Sequence, residues 1–119
     1  MTTEEIIKQA AEPHLIASSR KANELLSFLN GLISDLRLEV NELELKSDFH
    51  FNQLMSQMGK TVDQKKAEHK ISEPYREFKN KKGTLQDLRA IRRNLERHAD
   101  MLMQQERYQP KHDNPHYSI

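Results

Sequence analysis

Ala22, Leu25, Leu29, Leu32, Leu36, Val40, Leu43, Ser47, His50, Leu54 and Met58 follow one another at steps of three and four. At 100° per residue these positions stay within about 40° of one direction, so they form one face of a long helix. The successive four-steps at Leu32, Leu36 and Val40 depart from a strict heptad and predict a locally unwound supercoil. Gly31 lies inside the run and costs about 1 kcal/mol relative to alanine, which predicts a bend. A second stripe opens at Tyr75 and Phe78 and continues through Leu85, Leu88, Ile91, Leu95, Ala99 and Leu102. Two such helices, connected by a short polar stretch, predict an all-α, elongated antiparallel hairpin with coiled-coil-like packing, roughly 50 Å or more in length.

Punctuation along the chain sets the expected boundaries of one helical domain over 1–108. Thr2 and Glu5 have capping-box spacing, which predicts a short helix over 3–11. Pro13 ends that helix or begins the next, so the long helix is expected over about 14–58. Gly59 opens a weak point: Lys60 to Lys70 reads either as a helix extension to 70 or as a flexible connection. Ser72 as cap and Pro74 in the first turn predict a returning helix over about 73–107. Gly83 and Thr84 are a potential interruption, because Thr84 and Asp87 also approach capping-box spacing. The stretch 109–119 holds two prolines and two histidines and is expected to be a flexible tail unless docked.

Composition supports thin helices over a thick core. Of 119 residues, 35% are hydrophobic and 31% charged, mean hydropathy is −0.91, and there is no tryptophan. Three glycines and four prolines leave long stretches uninterrupted. The absence of cysteine removes disulfides, thiolate metal sites and cysteine nucleophiles. No apolar run approaches the roughly 18–20 residues of a membrane span, and the first residues lack the basic start and apolar stretch of a signal peptide. A soluble cytoplasmic protein, with no membrane partner, is the expectation.

The long helix carries a second apolar face. Leu38, Leu45 and Phe49 point away from Leu36 and Leu43, and one partner helix cannot cover both sides. This predicts a homo-oligomer or a protein partner that uses these three residues.

The charges are sorted along the chain. Residues 1–59 hold 5 Lys+Arg against 9 Asp+Glu, residues 60–97 hold 12 against 6, and residues 98–119 hold 2 against 3. Lys60, Lys65, Lys66 and Lys70 fall in the connection. Arg76, Lys79, Lys81 and Lys82 surround Tyr75 and Phe78, and Arg89, Arg93 and Arg97 recur every four residues away from Leu88 and Leu95. Repeated cations on adaptable segments suit phosphate backbones, and nearby aromatics can stack on unpaired bases. The competing reading is a solvated face balanced by carboxylates such as Glu73, Glu77 and Glu96. Arg92 differs: it lies between Leu88 and Ala99, about 40° from the stripe centre. It is expected to be a partly buried, register-fixing cation paired with Asp35, Glu39 or Glu42.

Other motifs carry less. Gly59-Lys60-Thr61 resembles the end of a phosphate-binding loop, but Leu54 stands where its first glycine belongs and no strand pattern precedes it. His112 and His116 have a four-residue spacing that Pro115 spoils for a helical metal site. His50, within the stripe, reads as a core or interface histidine. Carboxylates such as Glu42 and Glu44 have no pocket to tune them. No catalytic residue, metal or cofactor is expected, and the chain reads as a non-enzyme.

The segment Ala67-Glu68-His69-Lys70-Ile71-Ser72-Glu73-Pro74-Tyr75, followed by Leu85-Gln86-Asp87-Leu88-Arg89, resembles in layout the phage recombination mediators of the UvsY type. The resemblance spans about residues 22–105 as a pattern of helices and charges, without a diagnostic motif. It implies single-stranded DNA binding, ring-like assembly and assistance to a recombinase. It would also place a phage-encoded chain in the host cytoplasm. The expected function is a non-enzymatic accessory role in nucleic-acid metabolism, through single-stranded DNA or RNA. The alternatives are a protein-interaction adaptor or inhibitor, such as a phage protein acting on a host enzyme, and a structural coiled-coil component.

Overall fold

A computed structural model describes residues 2–108; the expected tail, 109–119, lies outside the described residues. Four α-helices follow in order: α1 (Thr3–Ala11), α2 (Ser19–Met55), α3 (Val62–Lys70) and α4 (Glu73–Tyr108), with a 3-10 turn over Pro13–Leu15. Among the described residues there is no strand, and no helix is long and apolar enough to cross a membrane. The chain divides into two compact units, and α2 and α4 contribute to both. Among the described residues the first comprises 2–31 with 88–108, and the second 32–87.

In the first unit, α1 begins where Thr2 Oγ1 accepts from the Glu5 amide at 3.1 Å. Pro13 then closes its own 3-10 turn, with the Ile16 amide on the Pro13 carbonyl. The long helix therefore starts five residues later than position 14, at Ser19. There Ser18 caps it, accepting from the Lys21 amide at 3.2 Å. Ile6, Ala10 and Ile16 pack with Ala22, Leu25 and Leu29 from α2 and with Leu88, Leu95, Ala99 and Leu102 from α4 as the buried core. Ser19 meets Glu106 while Asn30 meets Arg92, so the α2 and α4 segments of this unit run antiparallel.

The second unit buries Ile33, Val40, Leu43 and Leu54 of α2 with Leu85 of α4. The long helix stops at Met55; it reaches neither Met58 nor, by extension, Lys70. Gly59 adopts φ 91°, a left-handed conformation that no helix continues through and that favours glycine. A new helix then starts on a complete capping box. The Gln64 amide donates to Thr61 Oγ1 at 3.1 Å, and the Thr61 amide donates to Gln64 Oε1 at 3.0 Å. Gly83, by contrast, does not interrupt α4. Thr84 points its hydroxyl back to the Asn80 carbonyl at 3.2 Å and does not cap a new helix.

Candidate nucleic-acid interface

The cations assigned to nucleic acid from sequence fall into three groups once their surroundings are known. In the first group, the charge is used within the second unit. Lys65 is 8% exposed, and its Nζ donates to the Met55 carbonyl at 2.9 Å. The last carbonyls of a helix lack intrahelical donors and carry partial negative charge. Lys65 of α3 therefore caps the C-terminus of α2 and is withdrawn from any outer surface. Lys60 pairs with Glu68 at 2.7 Å. Lys81 pairs with Glu39 at 3.3 Å, joining α4 to α2. Lys81 lies three residues after Phe78 and four before Leu85, on the stripe itself. That spacing was the available sign that it belongs to helix pairing and not to the outer face.

In the second group, ammonium groups cover aromatic rings. Lys79 Nζ lies 6.0 Å from the centre of the Tyr75 ring, and Lys82 Nζ lies 5.5 Å from that of Phe78. Both rings are half-buried. Tyr75 is also approached by the His69 ring at 4.9 Å. The expected base-stacking platforms are thus occupied by side chains of the protein itself.

The third group is Lys66, Lys70 and Arg76 in the second unit and Arg89, Arg93 and Arg97 in the first. All six are exposed, and none has an ion-pair partner among the described residues. Of the carboxylates named in the competing reading, Glu73 and Glu77 form no ion pair among the described residues, and Glu96 approaches Arg92 at 4.0 Å. Arg92 is half-buried, as its place on the stripe implies, but its cross-helix partner is not a carboxylate. Its Nη1 donates to Asn30 Oδ1 at 3.2 Å, where Asp35, Glu39 or Glu42 was expected. The amide oxygen takes one of the five guanidinium donors and links α4 to α2 without a cross-helix ion pair.

Within the second unit, α3 is held to α2 by a polar cluster that the sequence did not announce. Ser47 is 2% exposed and His69 8%. Ser47 Oγ lies 3.3 Å from His69 Nε2, and His69 Nδ1 lies 3.1 Å from His50 Nδ1. The ring centres are 5.4 Å apart, which is the nitrogen separation plus the two ring radii. The two imidazoles therefore meet tip to tip, in line, as an N–H···N pair should. The Phe51 ring meets the His69 ring in a T-shaped contact, with centres 5.2 Å apart. Burial and the neighbouring His50 hold the His69 imidazole below its ordinary value, and Asp48 partly opposes them.

No protein family, curated protein or solved structure matches the chain. The chemistry of the surface must carry the functional reading by itself. Among the described residues no three His, Cys, Asp or Glu side chains converge on a metal position. A cavity lies elsewhere, in the first unit, where Lys8, Leu15, Ile16 and Lys21 line a largely apolar space of about 560 Å³ between α1 and the start of α2. None of the eleven basic positions lines it.

Proposed function

We propose that this chain is an accessory protein of nucleic-acid metabolism that grips the backbone of single-stranded DNA or RNA. The observation that carries the reading is the set of six exposed cations without ion-pair partners among the described residues: Lys66, Lys70, Arg76, Arg89, Arg93 and Arg97. A cation that already pairs with a carboxylate gains little from a phosphate. One that stands in water gives up no internal partner, and each phosphate it neutralises releases a condensed counterion. Three of the eleven sequence candidates, Lys60, Lys65 and Lys81, have internal partners and contribute to the architecture. Lys79 and Lys82 stand between the groups, since a cation over a ring keeps its outer side open to an anion.

The rings of Tyr75 and Phe78 are covered, so binding is expected to rest on backbone charge with little base preference. Fluorescence anisotropy on short labelled oligonucleotides tests this. The logarithm of affinity should fall linearly with the logarithm of salt, at a slope near −0.7 per contact on single strands. Replacing Lys66, Lys70 and Arg76 together by alanine, or Arg89, Arg93 and Arg97 together, should weaken all sequences alike and flatten that slope. No detectable binding at low salt, or binding indifferent to salt, would end the proposal. A stronger grip on duplex than on single strands would reassign the substrate.

A further inference from the structure

Leu38, Leu45 and Phe49 are 64%, 70% and 64% exposed, all on one side of α2 and opposite the buried Val40, Leu43 and Ser47. Taking Leu38 as the reference direction, Leu45 and Phe49 lie about 20° to either side of it. The row extends over three turns of one helix within the second unit and is unusual for a chain with so little apolar residue to spend on its surface. Its flank carries Asp35, Glu42 and Lys46, all exposed and without an ion-pair partner among the described residues.

We infer that this face docks against the same face of a second copy of the chain, with the two α2 helices antiparallel about a two-fold axis. Written as heptads, the row puts Leu38 and Leu45 at the d positions and Asp35, Glu42 and Phe49 at the a positions. In a parallel pair each a residue meets its own copy, which sets Glu42 against Glu42 and Asp35 against Asp35. Such like-charge layers are unfavourable. In an antiparallel pair each a residue meets a d residue. Sliding the copies until Leu38 faces Phe49 puts Glu42 beside Leu45 and Asp35 beside Asn52 of the second copy. Lys46 of each chain then falls within one residue, about 1.5 Å along the axis, of facing Glu42 of the other. The two-fold axis makes that pair twice. The face therefore pairs apolar with apolar residues and opposite charges with each other across the two-fold axis, as an isologous interface requires.

Only six large apolar side chains meet across such a seam, which places it among small interfaces, with dissociation on the order of tens of micromolar. Sedimentation from about 1 µM to about 1 mM should cross a monomer–dimer transition in that weak range. Leu45→Asp should abolish the transition while leaving helicity by circular dichroism unchanged, because the residue is exposed. Lys46→Glu should weaken dimerisation at least about tenfold. The double variant Lys46→Glu with Glu42→Lys, which only exchanges the two charges, should recover it.

The chain has no cysteine, so single cysteines report orientation without background. Leu38→Cys chains mixed with Phe49→Cys chains should form a disulfide between the two, and neither variant should form one with itself. Self-linking of Leu38→Cys would mean a parallel seam and overturn the inference. A wild-type chain that stays monomeric at about 1 mM would overturn it too, and leave the row to an unrelated protein. Oligonucleotide binding by the Leu45→Asp monomer is a separate readout, so loss of the dimer and loss of nucleic-acid contact are told apart.

Discussion

Lys65 shows how one side chain can hold a helix junction. Its stem lies within the second unit while its ammonium reaches the carbonyl of Met55, ten residues earlier. Lys65→Met keeps the stem and leaves that carbonyl without its donor, which should cost about 1–2 kcal/mol in chemical unfolding. The same change at the exposed Lys66 should be close to neutral. His69 makes a second, pH-dependent contribution. Its imidazole ionises less readily in the fold than in the unfolded chain, where the ordinary value is 6.5. The unfolded state therefore takes up the proton first as pH falls. The contribution of His69 is present above about 6.5 and is lost as pH drops through its lower folded value. Thermal unfolding followed between about pH 7 and pH 5 should show a falling midpoint, less steep for His69→Gln, which can still bond Ser47 but cannot titrate.

The helices themselves were the more legible level. A spacing of threes and fours tells which residues of a helix turn inward, and Ala22, Leu25, Leu29, Val40, Leu43 and Leu54 do so. Met58 does not, because the helix has ended three residues before it. That stop is hidden because the apolar step continues across it, while the capping box Thr61-Val62-Asp63-Gln64 lies in a polar stretch with no apolar periodicity to mark it. Glycines also needed their backbone angles. Gly31 and Gly83 lie in regular helix with open space where a Cβ would be, whereas Gly59 sits at positive φ. Gly31→Ala should therefore stabilise the chain by about 0.5–1 kcal/mol and raise the melting midpoint by a few degrees. Gly59→Ala should act in the opposite sense by about 1 kcal/mol despite the same open space. Calorimetry of the two variants compares them directly.

Over the whole chain, net charge is a poor guide and distribution a better one. A formal +1 conceals twelve cations against six carboxylates in residues 60–97. That excess was visible in the sequence, but its division was not. Whether a lysine faces water or a carbonyl depends on where the chain turns, and the turn at Gly59 brings Lys65 beneath Met55. Arg92 was recognisable by its place on the stripe, although which α2 residue it meets depends on a register that no local pattern contains. The histidine cluster was illegible for a like reason, since nineteen residues and a helix break separate His50 from His69. The exposed row of Leu38, Leu45 and Phe49 is legible in the sequence because it needs only the periodicity of one helix.

One contact in the first unit has a bearing on how the chain folds. Glu106, near the end of α4, accepts from both the amide and the hydroxyl of Ser19, at 2.8 and 2.6 Å, and so covers a free amide at the start of α2. These groups are 87 residues apart in sequence. Helical turns form from neighbours within a fraction of a microsecond or so, but a clasp across that distance must wait for a large loop to close. The start of α2 and the end of α4 are therefore expected to join late in the folding of the first unit. A protease that trims the chain before Glu106 should accordingly loosen the first turn of α2, because it removes the acceptor of the Ser19 amide and hydroxyl.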